Sequence, residues 1–222
     1  MSDGRIAIIA AMPGELAPFV RAAKLTRVTS GPAHVFESEH FIAAHAGIGK
    51  GRALDACHAA VARGSVRMLV SAGWVGALNA HASACSVQHP CAVIDESTGE
   101  RFPTSVSHGP VLVTVSRVAD HMQKRELQQR WHAHLVDMEA AHVARFARDH
   151  GIAFACLRVV SDAHDAILPD FNMFNTAEGQ LNLPKLLLWI SVRPWWWSSL
   201  AQMGRNSSAA ARALADALLQ LR

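Results

Sequence analysis

One stretch of the chain, residues 136–162, constrains the fold more than any other. It opens with acidic and small residues and continues as an alanine-rich amphipathic helix. Gly151 follows this helical segment, and glycine commonly ends a helix. The apolar run at 152–160 then predicts a buried strand. This strand would deliver Ser161 and Asp162 at its C-terminal end, which is where open α/β sheets bind ligands.

Two acidic residues stand at the two ends of this helix–strand unit. Glu139 precedes the predicted helix, and Asp162 follows the predicted strand. We therefore expect both side chains to meet at one pocket, at the edge of the sheet where the strand ends.

Short apolar runs alternate with helical patterns along the rest of the chain. Strands are predicted at 5–11, 66–71, 92–95 and 111–115, and helices at 15–20, 53–63, 120–131 and 208–221. The segments 28–39 and 41–45 predict a hairpin with turns at Gly31-Pro32 and Glu39-His40. This alternation predicts an α/β fold with a mostly parallel central sheet flanked by helices on both faces. We expect a single domain over 1–222, with a core at 1–165 and a helical C-terminal extension at 181–222.

Composition narrows the function classes. Hydrophobic residues make up 50% of the 222, so a sizeable core is expected. The formal net charge of +3 comes with scattered arginines, whereas a nucleic-acid-binding protein typically shows a basic stripe, so no nucleic-acid partner is expected. Four cysteines are too few for a secreted disulfide scaffold, and no signal peptide is expected before the first strand. We therefore expect a reducing, cytoplasmic setting.

Three local motifs have both a structural and a functional interpretation. Glu15 follows the Met12-Pro13 turn, where a carboxylate either caps a helix or serves as a catalytic group on a strand-to-helix loop. The G-I-G-K sequence at 47–50 is either an anion site at a helix N-terminus or a tight turn. Gly73 and Gly76 flank Trp74-Val75 at a predicted strand end and permit a sharp turn or close approach to a ligand.

Two segments contain residue types that are typical of metal sites and of membrane surfaces. His81, Cys85, His89 and Cys91 are metal-competent, but their spacing matches no standard zinc site, so we expect neither a metal nor another cofactor. Four of the six tryptophans fall between 189 and 197. This segment is too short to span a bilayer, and it predicts a helix packed on the core or on a partner subunit, or one that lies at a membrane surface.

Five motifs together resemble the nucleoside phosphorylase/nucleosidase superfamily, and most closely its methylthioadenosine/S-adenosylhomocysteine nucleosidase type. They are I-A-I-I-A-A-M-P-G-E-L (6–16), A-G-I-G-K (46–50), G-W-V-G-A-L (73–78), V-D-M-E-A-A (136–141) and L-R-V-V-S-D (157–162). Each motif alone is modest, but their shared order and spacing make the set specific.

The resemblance implies roles for three acids. Glu15 stands where these nucleosidases hold the carboxylate that activates the attacking water. Glu139 stands where a glutamate binds the ribose hydroxyls, and Asp162 stands where an aspartate protonates the purine as general acid. The residues that the resemblance places around the substrate are Met138 beneath the sugar, Ser161 beside the purine, Val118 near the base-stacking wall, and Trp74 and Gly76 at the strand end.

The chain also departs from the family pattern. In phosphorolytic relatives a phosphate-binding arginine would fall near Ser71 and a phosphate-binding serine at Trp74. Both are missing, which favours water as the nucleophile, although Trp74 could also crowd the site. The family's Gly-Asp after Leu78 and a clear aromatic residue over the purine are missing as well. The segment 186–203 is similar instead to the hopanoid-associated phosphorylase branch, which acts on adenosylhopane, and so suggests a lipid-linked nucleoside or peripheral membrane contact.

We therefore expect an enzyme that hydrolyses the N-glycosidic bond of an adenosine derivative and releases adenine. Two alternatives remain open at this point. One is a phosphorylase of the hopanoid-associated type, and the other is a catalytically weak nucleoside-binding protein whose pocket Trp74 has altered. The resemblance also implies a purine nucleoside as the small-molecule partner and a homodimer.

Overall fold

The computed structural model describes residues 4–29, 31–80, 82–162 and 197–221. The strands among them are β1 (Arg5–Ala10), β2 (Thr26–Thr29), β3 (His34–Glu37), β4 (Phe41–His45), β5 (Val66–Ala77), β6 (Val87–Gln88), β7 (Ala92–Asp95), β8 (Arg101–Pro103), β9 (Val111–Thr114), β10 (Leu135–Asp137) and β11 (Ala153–Asp162). The helices are α1 (Pro13–Ala22), α2 (Lys50–Val61), α3 (His121–Trp131), α4 (Ala140–Asp149) and α5 (Trp197–Leu219).

All of these strands join one sheet. Its order is β2-β3-β4-β1-β5-β10-β9-β7-β8, with β11 paired to β5 and β6. Parallel pairs link β4, β1, β5 and β11, and also β10, β9 and β7. The antiparallel pairs β3–β4 and β7–β8 lie toward the edges, where the short connections 38–40 and 96–100 return the chain directly. Strands β5 and β10, which are distant in sequence, are also antiparallel. The predicted α/β class is thus confirmed, with a mixed rather than a mostly parallel sheet.

Strand β5 is the central strand of the sheet, because it pairs with three others. The sequence predicts a strand at 66–71, but β5 continues to Ala77. Its first half pairs with β1, its last residues pair with β10, and β11 runs along its other side. The glycines at 73 and 76 suggested a strand end, yet both lie inside the strand. Glycine within a strand often marks a close approach by another group, and the Glu15 side chain approaches Gly73.

Buried side chains alternate between the two faces of β1. Ile6 and Ile8 point to the face covered by α1 and α5, and Ala7 and Ile9 point to the face covered by α2 and α4. A strand covered on both faces has to be apolar throughout, which explains the uninterrupted apolar run seen in the sequence.

Helix boundaries follow from capping and backbone conformation. Asp120 caps α3, because its carboxylate accepts a hydrogen bond from the Gln123 backbone N–H at 2.9 Å. Gly151 follows α4 with a φ of +66°, a conformation that favours glycine after a helix end. Helix α2 begins at Lys50, earlier than the predicted residue 53, because the G-I-G-K turn leads directly into it.

The C-terminal helix is longer than predicted. It runs over Trp197–Leu219 rather than 208–221, and its side chains are described from Ser207 onward. Ala210, Leu214 and Leu218 are buried against α1 and the sheet. The Trp-rich segment at 189–196, and with it most of 186–203, lies outside the described residues. Within the described part of the chain, no helix has the length and apolar character needed to cross a membrane.

The packing of α5 leads to a first prediction. Leu214 is fully buried in the cluster shared by α1, β1 and α5. We expect Leu214→Ala to lower the free energy of unfolding by about 2–5 kcal/mol, because it removes buried methyl groups and leaves a cavity. Urea denaturation would measure this, with the exposed Arg212→Ala on the same helix as the control. Equal, small effects of both changes would contradict the packing of this helix.

Candidate active site

A cavity of about 170 Å³ opens where β1, β9, β10 and β11 end, beside β5. The segments that line it follow these strands directly, as expected for the ligand-binding edge of an α/β sheet. Its lining residues are Ala11, Met12, Glu15, Ile48, Trp74, Val75, Gly76, Val115, Arg117, Val118, Ala119, Lys124, Val136, Asp137, Met138, Glu139 and Ser161.

The cavity brings together most of the site residues predicted from the sequence. These are Glu15, Trp74, Gly76, Val118, Met138, Glu139 and Ser161. Asp162 is the last residue of β11, and its backbone pairs with Gly76. The side chain of Asp162 lies outside the described part of the structure, so its predicted position in the cavity remains a prediction.

Glu15 is a buried carboxylate held by three backbone N–H groups. Its Oε2 accepts hydrogen bonds from the N–H of Ala11 at 3.0 Å and of Met12 at 2.7 Å. Its Oε1 accepts one from the N–H of Trp74 at 2.8 Å. The two interpretations of Glu15 are therefore compatible, because the bond from Met12 is the capping bond of α1 and the carboxylate also lines the cavity.

Gly73 makes this arrangement sterically possible. A Cβ atom at position 73 would lie 2.6 Å from Oε1 of Glu15, which is closer than a nonbonded carbon and oxygen normally approach. The strand can therefore present the Trp74 N–H to the carboxylate only because residue 73 has no side chain.

Opposing effects act on the ionisation of Glu15. Burial raises the pKa of this carboxyl above its ordinary value of 4.5. The backbone N–H groups of Trp74, Met12 and Ala11, and the positive charge of Arg158, act in the opposite direction by stabilising the carboxylate. Backbone hydrogen bonds thus restrain a carboxyl group whose pKa is raised, and a raised pKa makes its carboxylate a stronger base.

The side chain of Glu139 lies at the N-terminus of helix α2, which is distant from Glu139 in the sequence. Its Oε1 accepts a hydrogen bond from the Gly49 N–H at 2.8 Å, and Gly49 is the N-cap of α2. The start of α2 in the G-I-G-K motif therefore contacts a carboxyl group of the chain itself. An N–H group at a helix start, with the helix dipole behind it, stabilises negative charge there.

The pKa of Glu139 is strongly raised. Burial and the nearby Asp137 carboxylate raise it to about 8, while the Gly49 N–H acts in the opposite direction. Near neutral pH the side chain therefore exchanges readily between a carboxylate, which accepts hydrogen bonds, and a carboxylic acid, which can also donate one.

A buried ion pair that the sequence did not reveal lies beneath the cavity. Arg158 donates from Nη2 to Oδ2 of Asp137 at 2.6 Å, and both side chains are almost completely buried. Oδ1 of Asp137 accepts from the Thr114 hydroxyl at 2.6 Å, and Oδ2 also accepts from the Ala140 N–H at 2.8 Å. Nη2 of Arg158 donates to the Ser71 hydroxyl at 2.8 Å as well. This network connects β5, β9, β10 and β11.

Trp74 forms part of the cavity wall. Its backbone N–H is committed to Glu15, and the edge of its indole lies over Gly14, where a Cβ atom would be 3.2 Å from Cη2. The ring is partly buried against the core cluster that includes α1 and α5. The indole therefore narrows the cavity without filling it, since an open volume remains beside Glu15 and Glu139.

The metal-competent residues of the 81–91 region form no metal site in what the structure describes. Cys85 and Cys91 form no disulfide bond with any described residue. Across residues 4–29, 31–80, 82–162 and 197–221, no three or more His, Cys, Asp or Glu side chains are arranged to hold a metal ion. His81 lies outside these ranges.

The buried ion pair supplies a second prediction. Asp137→Asn would leave the buried charge of Arg158 without its counter-charge, so we expect the free energy of unfolding to fall by about 3–5 kcal/mol. Asp55→Asn is a matched control, because Asp55 pairs with Arg52 at 3.4 Å in a half-exposed setting where an ion pair contributes less than about 1 kcal/mol. Denaturant titration measures both, and a loss no larger than that of the control would contradict the role of the pair.

The raised pKa of Glu139 supplies a third prediction. Because the folded-state pKa of about 8 exceeds the unfolded value near 4.5, the folded chain holds an extra proton between these pH values, and stability falls as pH rises through this window. Glu139→Gln keeps an oxygen acceptor for Gly49 and does not titrate. We expect its Tm to exceed that of the wild type increasingly from pH 5 to pH 8, with the exposed Glu39→Gln as control. A difference independent of pH would rule the shift out.

Comparison with known proteins agrees with this geometry. Residues 94–189 match the family model of the Phosphorylase superfamily, and the search of curated proteins found no match. Among solved structures, the 5′-methylthioadenosine/S-adenosylhomocysteine nucleosidase of Helicobacter pylori superposes with a TM-score of 0.72 at 15% identity, covering 98% of this chain and 97% of that one.

Two further structures have the same fold. The 5′-methylthioadenosine nucleosidase of Arabidopsis thaliana has a TM-score of 0.73 at 16% identity, with 98% of this chain and 93% of that one covered. The futalosine hydrolase of Helicobacter pylori has a TM-score of 0.72 at 16% identity, with 97% and 96% covered. The matched region and the shared fold together confirm the resemblance of this chain to the nucleoside phosphorylase/nucleosidase superfamily.

Proposed function

We propose that the protein is a purine nucleosidase, which hydrolyses the N-glycosidic bond of an adenosine derivative such as methylthioadenosine or S-adenosylhomocysteine and releases adenine. The fold supports this proposal, since structures with the same architecture include a methylthioadenosine/S-adenosylhomocysteine nucleosidase and a futalosine hydrolase. At 15–16% identity the fold alone does not specify the substrate, so the proposal depends on the site.

One observation carries the proposal. Two carboxylates from distant parts of the chain, Glu15 and Glu139, line the same cavity, and backbone N–H groups hold both in place. Within the described residues, neither side chain pairs with a cationic side chain, and a buried charge without such a partner destabilises a fold. Their position beside an open cavity therefore favours a chemical role.

Cleavage of an N-glycosidic bond needs a better leaving group and a stabilised sugar cation. Asp162 would protonate the purine ring nitrogen, because a neutral purine leaves more readily than its anion. The strand pairing that joins Asp162 to Gly76 puts its backbone beside the cavity, since Gly76 and Ser161 both line it.

Glu139 would hold the ribose. An ionised Glu139 can accept hydrogen bonds from the 2′- and 3′-hydroxyls, and its negative charge stabilises the oxocarbenium-like sugar of the transition state. Met138, next in the chain and also in the cavity wall, supplies an apolar surface for the sugar. Because Glu139 ionises near pH 8, sugar binding should strengthen as pH rises toward that value.

Glu15 would activate the attacking water. Three backbone N–H groups fix its orientation, and burial raises its pKa toward the range in which a carboxylate is an effective general base. A water between Glu15 and the sugar would then lose its proton as it attacks the anomeric carbon.

Water fits the site better than phosphate as the nucleophile. Trp74 stands where phosphorolytic relatives are expected to have a small hydroxyl residue, and its indole narrows this side of the cavity. Arg158 does reach Ser71, near the expected place of a phosphate-binding arginine. However, it is 2% exposed and paired with Asp137, and it is absent from the cavity wall. Its charge is therefore not available to a bound phosphate.

The proposal also includes the oligomeric state of the protein and its location in the cell. We infer a homodimer, with a purine nucleoside as the small-molecule partner, from the family resemblance. The cytoplasmic location is inferred from the low number of cysteines and the sequence before the first strand. The resemblance of 186–203 to the hopanoid-associated phosphorylase branch keeps a lipid-linked substrate and peripheral membrane contact as the alternative, and this segment lies largely outside the described residues.

Adenine release tests the proposal. We would incubate the protein with methylthioadenosine, S-adenosylhomocysteine and adenosine, with and without phosphate, and quantify adenine. We expect release without phosphate, and Asp162→Asn should lower kcat by about 10²–10⁴-fold because it removes the general acid. Asp55→Asn, at a surface ion pair away from the cavity, should leave kcat unchanged.

The other outcomes separate the alternatives. Release that depends on phosphate would replace hydrolysis by phosphorolysis. If the Asp162→Asn variant released adenine at the wild-type rate, Asp162 would not be the general acid. An absence of both turnover and nucleoside binding would contradict the enzymatic proposal as a whole.

A further inference from the structure

Helix α4 begins at the cavity, and residues at the ends of β9 and β10 cap its first N–H groups. The N–H of Ala140 donates to Oδ2 of Asp137 at 2.8 Å, and the N–H of Ala141 donates to the Thr114 hydroxyl at 3.0 Å. The next N–H of the helix donates to the backbone carbonyl of Glu139 at 3.0 Å. These contacts supply the partners that the start of a helix otherwise lacks.

Glu139 holds the N-cap position of α4 but does not cap this helix with its side chain. The side chain of an N-cap residue usually accepts a hydrogen bond from the second or third N–H of its own helix. Within the described residues, Glu139 makes no such bond, and its Oε1 accepts from the Gly49 N–H at 2.8 Å instead. Because Asp137 and Thr114 already occupy the first two N–H groups of α4, the Glu139 side chain can turn toward α2 and the cavity.

The hydroxyl of Thr114 has a fixed direction. Its oxygen lies 2.6 Å from Oδ1 of Asp137. A carboxylate only accepts hydrogen bonds, so the hydroxyl hydrogen points to Asp137, and the lone pairs of the oxygen face the Ala141 N–H. Thr114 is 2% exposed, which shields both bonds from solvent. One hydroxyl therefore joins the end of β9 to the end of β10 and to the start of α4.

Removal of this hydroxyl would leave the Ala141 N–H without its acceptor. A buried unpaired donor is costly, so a neighbouring acceptor would be drawn to it. Asp137 is restrained by its ion pair with Arg158 at 2.6 Å. The Glu139 carboxyl is restrained by one hydrogen bond among the described residues, the bond from Gly49. Glu139 is therefore the group that would turn back and cap its own helix, as N-cap residues usually do.

We propose that Thr114 is a positioning residue, whose hydroxyl caps α4 and thereby keeps the Glu139 carboxyl at Gly49, facing the cavity. The inference rests on the proposed function, in which Glu139 binds the 2′- and 3′-hydroxyls of the ribose. Preference for a ribose over a sugar without these hydroxyls then depends on Thr114, although Thr114 is not one of the residues that line the cavity. Asp137 shares the capping, but its replacement would also break the ion pair with Arg158, so Thr114 is the residue to change.

The amide of Gly49 reports the position of Glu139 without any ligand. Ile48-Gly49 is the one Ile–Gly pair of the sequence, so labelling with ¹³C-isoleucine and ¹⁵N-glycine identifies its NMR signal. A hydrogen bond to a carboxyl oxygen moves an amide proton downfield. Thr114→Val keeps the shape of the side chain and removes the hydroxyl, so it should move this signal upfield, toward its position in Glu139→Ala. Thr114→Ser keeps the hydroxyl and should leave the signal close to its wild-type position.

Ligand binding tests the consequence for the sugar. The full-length chain, carrying Asp162→Asn to slow turnover, would be titrated calorimetrically with methylthioadenosine and with its 2′,3′-dideoxy analogue. The analogue lacks the hydroxyls that Glu139 should bind. We expect Thr114→Val to weaken the binding of methylthioadenosine about tenfold, as the loss of a hydrogen bond allows, and that of the analogue less than about threefold. Thr114→Ser should bind both ligands within about threefold of the chain without it.

Thr104→Val is the matched control. The Thr104 hydroxyl also donates one hydrogen bond, to the Pro90 carbonyl at 2.7 Å, and accepts one, from the Val106 N–H at 3.1 Å. Thr104 does not line the cavity, so its change should alter neither the Gly49 signal nor either affinity. Thr114→Cys, whose thiol is a weak donor and a weak acceptor, should give a smaller upfield shift, and it carries the test if Thr114→Val does not fold.

Failure of the positioning role and failure of the proposed function give different results. A Gly49 signal that Thr114→Val and Thr114→Cys leave at its wild-type position would overturn the positioning role. Equal shifts in Thr114→Ser and Thr114→Val, or equal losses for the two ligands, would overturn it as well, because the hydroxyl would then have no specific effect. If neither nucleoside binds the chain with Thr114 intact, the proposed function is wrong, and the Gly49 signal alone decides whether Thr114 positions Glu139.

Discussion

The ion pair between Arg158 and Asp137 is the interaction on which the site depends. It lies in the interior, where two unpaired charges would be prohibitive, and its remaining donors and acceptors are largely engaged by Thr114, Ser71 and the Ala140 N–H. The pair thereby fixes the lateral order of the strands that end at the cavity. A hydrophobic replacement could supply comparable stability, but it would lack the directional bonds that set this order.

The same ion pair affects the pKa values of the two carboxyl groups in the cavity. The positive charge of Arg158 lowers the pKa of both cavity carboxyls, while burial raises them and Asp137 raises that of Glu139 further. The backbone donors differ in number: three N–H groups stabilise the charged form of Glu15, and one stabilises that of Glu139. In both side chains, burial raises the pKa against these donors.

Much of the fold could be predicted from local patterns. The apolar run of β1, the alanine face of α4 and the glycine after it are signals contained within a few residues, and each element formed where its pattern indicated. The length of β5 was missed because glycine weakens a strand pattern, although here it serves a contact with a distant residue. Most of the site residues that the sequence motifs predicted line one cavity.

The remaining features depend on which strands become neighbours, and this is not a local property. The pairing of Arg158 with Asp137 follows from β11 and β10 both lying against β5. In the same way, the carboxyl group at the start of α2 could not be identified as Glu139 before α4 was known to begin beside it. The wall contributed by Lys124 was missed because a lysine within a polar helix carries no signal that it is buried.

The contact between Gly73 and Glu15 has an evolutionary consequence. A Cβ atom at residue 73 would displace the Glu15 carboxylate from its present position, so the two positions are not free to vary independently. Loss of the glutamate would remove this clash, although the φ of +157° at residue 73 would still favour glycine. In homologous sequences, a residue other than glycine at position 73 would therefore indicate that no carboxylate occupies this place in the cavity.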